Sequence, residues 1–594
     1  NEGAYIDDVY LREEGSDVNL LKNPGFESYY EQWEDSEFGV NYDAIDDACG
    51  ALRRAEFYKL GVTLSTDMTQ ASSYINRIEG VKDTTKNYST FIRNNVTHEK
   101  FIEAAKILYS ALVPEIKDCD SLVMLQTWNE PSLNSSDSTY YKPQWHDYLK
   151  AKYGTIEKLN ATYGSNYTYF DEIEMPTTKS TEVIYFDWRV FNENILTTYF
   201  REINEHIHSL APDMIYGAKY MKDMFATTSN TLWRGINYEK LAPYETIASN
   251  DAWAYLHATT DPLESKLAWY DFQHSLTGTA VADLEDHIIM DSTTIDLDPR
   301  NYNWYVSSLW QGAIHYKALT NIWLFPRNEA PAYINFRNTT TQYRADCMYG
   351  TAKVSGDLNR LSKEVSALRN EPAQIALLFS HTSSGYTPAH MNSYIESYKN
   401  SIYSGVKLYI ANETNIGVIN NYPLLVIPEA THIPENVLAA VVDYMKNGGE
   451  VLAFGENTFV YNESGEQQNA ELYGEFTANA QIIETGTSES AVRTAISDKM
   501  FGILNAKYKE ILARDYDVVD AETGKPLEKT EWNITEYNGG IIVNYLNYDW
   551  GNTKKAKLVY HGGALSGTEL ISGAAVNGEV TLDPYTPTMV YYNK

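Results

Sequence analysis

From about residue 40 to residue 365, short apolar runs alternate with helical segments, and this alternation constrains the fold more than any other feature. Six runs read as strands: Gly61–Ser65, Ser121–Thr127, Met214–Lys219, Thr246–Asn250, Thr279–Leu284 and Leu319–Phe325. Helices are predicted over 46–60, 99–112, 187–210 and roughly 301–318. An aliphatic-rich run of this length is a strand buried on both faces, and strands separated by helices make a parallel sheet with crossover connections. Taking the Ser121 run as the fourth strand of a (β/α)₈ TIM barrel makes Gly61–Ser65 the third and Leu319–Phe325 the eighth. Two more strands must then fit before residue 46. Phe38–Tyr42 is one candidate and the other is unassigned.

A second α/β unit follows over 373–460, with buried strands Ala373–Phe379, Leu424–Pro428 and Glu450–Phe454. The helix Glu435–Lys446 stops at Gly448-Gly449, where glycine takes the left-handed turn that ends a helix. The pattern is flavodoxin-like, yet no glycine-rich phosphate loop stands at its first turn, which argues against a nucleotide. From about 505, short alternating strands separated by Asn-Gly and Gly-Gly turns indicate a small C-terminal β-sandwich. The expected layout is an N-terminal remnant over 1–30, a barrel over 31–370, a flavodoxin-like domain over 371–500 and the sandwich over 501–594.

The net charge of −33 argues against nucleic acid and anionic membranes as partners, since both attract basic patches. No apolar run reaches 18 residues, so no membrane span is predicted. Cys49, Cys119 and Cys347 are too few and too scattered for a disulfide framework or a zinc site, and neither metal nor cofactor is expected. The 48 tyrosines and 12 tryptophans supply rings that suit the apolar faces of sugars.

The Ser121 strand closes on Trp128-Asn129-Glu130-Pro131. The C-terminal ends of barrel strands carry the chemistry of this fold. A carboxyl group there, beside an amide that can bind a sugar hydroxyl, suits the general acid of a glycosidase. The four residues alone read equally well as a solvated loop. Retention requires a second carboxylate about 5 Å away. Glu285 is the best candidate, because it stands where the seventh strand should end, flanked by Asp283 and Asp286, both expected to turn to faces other than its own. Asp251 is the alternative nucleophile and would more naturally bind a sugar hydroxyl. Asn129 is expected on the 2-hydroxyl, with Trp128 beside it at the site. Trp323 is expected to stack on a pyranose ring and His287 to join the site; His287 and His315 could orient carboxylates, although a lone histidine is more often structural.

Asn129-Glu130 ending a fourth strand, with Glu285 ending the seventh, resembles the retaining (β/α)₈ glycosidases of clan A. Trp145–Asn160 and Tyr185–Phe191 are similar to stretches that follow the acid/base in the β-galactosidases of glycoside hydrolase family 42. The resemblance implies Glu130 as acid/base, Glu285 as nucleophile, a saccharide substrate, exo action and a homotrimer built through the flavodoxin-like domain. A sister family of trimeric β-mannosidases with the same three-domain plan stays open. So do an endo-acting hydrolase of the clan and a catalytically silent carbohydrate-binding protein. Ala4–Leu11 and Asn19–Glu27 resemble phrases of the jelly-roll modules attached to secreted glycosidases. They make 1–30 a remnant of such a module and favour a secreted or periplasmic protein over a cytoplasmic one.

Overall fold

The computed structural model describes residues 30–33, 36–66, 75–82, 92–178, 180–222, 235–258, 262–290, 298–323, 341, 344–485 and 489–594. The jelly-roll phrases therefore lie outside the described residues. Strand β1 (Tyr30–Gln32) pairs antiparallel with β2 (Gly39–Asn41). Phe38–Tyr42 thus forms a strand, but in a hairpin and not in the barrel. The reason is local: the Asn41 side chain accepts the Asp43 N–H at 3.0 Å and caps the helix Tyr42–Phe57, so the chain turns at once into helix.

Six parallel strands follow, β3 (Val62–Ser65), β4 (Leu122–Asn129), β5 (Tyr216–Met221), β6 (Ala248–Trp253), β7 (Val281–His287) and β8 (Lys317–Trp323), hydrogen-bonded in that order. The sheet curls far enough for the Asn321 side-chain amide on β8 to donate to the Thr63 hydroxyl on β3 at 3.0 Å. The domain is a TIM-barrel-type α/β fold. Its narrow interior is packed by Met124, Ala282 and Leu284. Gly217 permits the approach of β5 to β6, because a Cβ there would stand 2.5 Å from the Ser249 hydroxyl.

Helices Glu99–Ile116 and Val183–Leu210 cover the outside of β4. Between sheet and helices runs a chain of edge-to-face, tilted and stacked rings, from Phe101, Trp128, Tyr199 and Phe200 through Tyr220, Tyr238 and Trp269 to Phe272. Phe272 then meets Phe379 of the next domain at 4.8 Å. Much of the aromatic content is thus core, where such pairs add about 0.5–1.5 kcal/mol each beyond their burial. The cysteines are free thiols, with Cys49 and Cys347 buried.

The second sheet is parallel, in the order β10-β9-β11-β12-β13, from β9 (Ile375–Leu378), β10 (Leu408–Ala411), β11 (Leu424–Ile427), β12 (Glu450–Phe454) and β13 (Gln481–Ile483). Counted within the domain this is 2-1-3-4-5, the flavodoxin order. In that fold an anionic group binds at the turn after the first strand. Here the Glu413 carboxylate fills the turn, accepting from the Ser380 hydroxyl at 2.6 Å and the Thr382 N–H at 2.8 Å. A phosphate would meet a like charge there. The helix Glu489–Leu512 runs through the boundary expected at 500, so the C-terminal strands begin only at Tyr516. Those strands form two antiparallel sheets around Val518, Trp532, Val543, Leu558 and Val590.

His315, following the helix Asn301–Ile314, joins all three domains. Its Nδ1 lies 3.0 Å from Asp271 of the barrel and 3.1 Å from the Tyr398 hydroxyl of the second domain, and its Nε2 lies 2.7 Å from Glu531 of the third. Of the two parts open to it, orienting a carboxylate of the site or a structural one, His315 takes the structural one.

Candidate active site

Every strand from β4 to β8 places a candidate site side chain at its C-terminal end, and the registers bring those ends level. Asn129 pairs with Lys219, Met221 with Asp251, Asp251 with Glu285, and His287 with both Trp253 and Trp323.

Glu130 directly follows β4. Its φ of 45° is left-handed, a conformation that costs a side-chain-bearing residue about 1–3 kcal/mol. Its N–H donates to the Lys219 carbonyl at 3.0 Å, which ties the strained residue to β5. Asn129 and Glu130 are both half-buried.

Glu285 is buried at 7% exposure, and one of its carboxylate oxygens, Oε2, receives the Lys219 ammonium. Its other oxygen stands 3.4 Å from His287 Nε2, and the same nitrogen stands 3.4 Å from Asp251 Oδ1. Burial pushes the Asp251 carboxyl up to about 7; the His287 charge opposes the shift and the Glu130 charge adds to it. The charges of Glu130, Lys219, His287 and Asp283 all reach Asp251. The ligand atoms of Asp251, Glu285 and His287 lie within 4.8 Å of one another, a spacing that could gather round a cation. The Lys219 ammonium already supplies positive charge there.

Strict alternation would give Asp283 and Glu285 the same face of β7. A register shift prevents it: Asp283 pairs with Asn250 but Glu285 pairs with the next residue, Asp251. Asp283 and Asp286 consequently both turn outward, to Tyr270 and Lys266 of the helix Leu263–Thr277, and Lys317 joins them from β8. Such bulges re-aim side chains beside functional sites.

The structure brings Asn129, Glu130, Asp251, Glu285, His287 and Trp323 to one end of the sheet. The His287 and Trp323 rings stand 5.6 Å apart. Trp128 is different. It is 1% exposed and packs edge-on against Tyr199 at 5.2 Å, on the helix side of β4, so the expectation that it touches substrate is corrected. Adjacent residues of a strand face opposite ways, and the neighbour of Asn129 had to face the core. Sequence reasoning missed Lys219. The signal was available, since a charged residue closing an apolar strand is the same pattern that singled out Glu130.

Comparison with known proteins agrees with this fold. Residues 77–313 match the family model of the glycoside hydrolase family 42 beta-galactosidases. Over 301 residues the chain is 24% identical to the Beta-galactosidase Pbg of Clostridium perfringens, a stretch that makes up 48% of this chain and 41% of the relative. The chain thus spans less than half the length of the curated relative it matches. Among solved structures, an exo-carrageenase of family 42 from Bacteroides ovatus superposes with a TM-score of 0.76 at 17% identity, over 91% of this chain and 77% of that one. The beta-galactosidase of Bacillus circulans sp. alkalophilus gives 0.71 at 12% identity, over 94% and 92%. By barrel sequence and by fold, the chain resembles the retaining (β/α)₈ glycosidases of clan A, and among them those of glycoside hydrolase family 42.

Proposed function

We propose that the chain is a retaining exo-β-glycosidase of the β-galactosidase type, with Glu130 as acid/base and Glu285 as nucleophile. One observation carries the reading: both residues are bound to Lys219, one through its carbonyl and one through its ammonium, at the C-terminal rim of the sheet. In the first step a Glu285 oxygen bonds to the anomeric carbon, the glycosidic C–O bond breaks, and Glu130 gives its proton to the departing oxygen. In the second, Glu130 takes a proton from water, the water oxygen bonds to the anomeric carbon, and the ester to Glu285 breaks. Two inversions retain the configuration and restore both carboxyl groups. Asn129 is assigned to the 2-hydroxyl, Asp251 and His287 to sugar hydroxyls or to the nucleophile, and Trp323 to the ring face.

Aryl β-galactoside, β-mannoside, β-glucoside and β-fucoside tested side by side decide the reading. The β-galactoside should be cleaved fastest. A faster β-mannoside moves the chain to the sister family, and cleavage of internal polysaccharide bonds only makes it endo-acting. Sugar binding without release from any substrate removes the enzymatic reading. Glu285→Gly should lose at least about 10⁴-fold in kcat. Azide should partly restore it by occupying the place of the lost carboxylate, yielding the α-glycosyl azide. A homotrimer built through the flavodoxin-like domain belongs to the same proposal, supported by the blocked anion turn at Glu413, and a monomer by light scattering would remove it.

A further inference from the structure

Lys219 is not needed for the chemistry just described, yet it sits between its two principal residues. Its backbone lies beside Asn129 in the β4–β5 register, and its carbonyl accepts the N–H of Glu130. Its side chain crosses the rim to the Oε2 atom of Glu285, and both partners are nearly buried, at 7% and 8% side-chain exposure. We propose that Lys219 is a positioning residue that holds Glu285 ionised and aimed, leaving Oε1 as the attacking oxygen, and that it ties this carboxylate to the backbone of Glu130. The inference rests on Glu285 being the nucleophile.

The charged groups around Glu285 make the need for such a residue plain. From β7 itself, Asp283 accepts the Glu285 N–H at 3.3 Å and His287 faces Oε1. Asp251 faces the same His287 from β6, and the Glu130 charge acts on that group from the end of β4. Three of these neighbours are acids and one is a histidine. A buried carboxylate beside other carboxylates takes up a proton unless a cation opposes it. Lys219 is the cation in direct contact. A protonated Glu285 is no nucleophile, so the contact bears on rate and not only on folding. The contact is also lost in part as the reaction proceeds, because the Glu285 charge is consumed when its ester forms. The ammonium then has its strongest partner again as the ester breaks, which favours deglycosylation.

Lys219→Met keeps the length of the side chain and removes its charge. With an aryl β-galactoside, the acidic limb of the kcat/KM–pH profile should move up by at least about one pH unit, with a loss that approaches tenfold or more well below the parent's limb and shrinks as pH rises. Lys219→Arg should keep the limb within about half a unit of the parent. A Lys219→Met profile that falls uniformly at every pH, or that overlays the parent, overturns the proposal. If Lys219→Met does not fold, Lys219→Gln is read by the same criteria. The Lys219→Arg limb is an independent arm, and a shift in it of one unit or more also overturns the proposal. Glu285→Gly with azide separates the two readings. Absence of rescue removes the nucleophile assignment itself, whereas rescue together with an unmoved Lys219→Met limb removes only the role of Lys219.

Discussion

The two faces of β7 hold nearly the same chemical groups and use them differently. On the outer face, Asp286 is fully buried and takes ammonium groups from Lys266 and Lys317 on its two oxygens. Burial opposes its ionisation, but the two lysines outweigh that and hold its carboxyl below the usual range. Asp283 beside it is pushed up to about 7, by burial and by the Asp286 charge. On the inner face, Glu285 has one lysine, one histidine at 3.4 Å and a nearby Asp251, and no hydrogen bond reaches Asp251 Oδ1 among the described residues. Charges that are closely paired and sealed hold a fold together. Charges with spare bonding capacity at the rim can engage a substrate. The difference lies in Asp251 Oδ1, which accepts no hydrogen bond among the described residues.

The sharpest way to break this comparison is Asp286→Asn. It leaves two buried ammonium groups without their carboxylate, and losing one partner of a buried ion pair costs about 3–5 kcal/mol. Denaturant unfolding should show that loss, while the kcat of the remaining folded protein stays within a few-fold of the parent. A stable Asp286→Asn protein that has lost its turnover would place Asp286 in the reaction and erase the distinction between the faces.

The sequence made one side of this comparison far more legible than the other. Glu130 and Glu285 stand out because strand ends can be read from apolar periodicity, and a barrel puts its chemistry at one set of ends. The outward turn of Asp283 was expected, but its cause was hidden: strict alternation would give it the face of Glu285, and a one-residue bulge between β6 and β7, which leaves no mark in a period-two pattern, turns it away. Lys219 was hidden by its type, since a search for paired carboxylates passes over the cation that serves them. Trp128 stands next to Asn129 in sequence but not in space, because neighbouring strand residues face opposite ways. The three-domain order was legible from strand spacing, but the end of the second domain was not, because the helix Glu489–Leu512 continues across it. In the sequence His315 stays open between a site residue and a structural one. Only tertiary packing shows that its partners come from three domains.

The His315 junction extends the comparison to pH. Burial alone would lower its pKa, but Asp271 and Glu531 outweigh that and raise it to about 10. A raised folded-state pKa means that the native protein binds the proton more tightly than the unfolded chain. The stabilisation is therefore complete below about pH 6.5 and is lost as pH rises through about 10. Between pH 7 and 10 the unfolding free energy should fall by roughly 2–4 kcal/mol from this group. His315→Gln should be less stable at pH 7 and should flatten that slope. An unchanged slope would mean that His315 carries no proton at neutral pH, and that the junction is held by neutral hydrogen bonds.

Trp323 carries the smallest expected effect and tests how far the inner face belongs to the substrate. Its ring ends β8, half-buried, 5.6 Å from the His287 ring. Trp128 by contrast is sealed among Phe101, Tyr199 and Phe200. If Trp323 stacks on a sugar in both ground and transition states, Trp323→Ala removes uniform binding. KM should then rise about tenfold, worth about 1.4 kcal/mol, with kcat nearly unchanged. Its stability should move little, because the ring is only half-buried. A drop in kcat without a change in KM would mean that the ring acts through His287 on the nucleophile. A large loss of stability with neither kinetic change would put Trp323 with Trp128, as core.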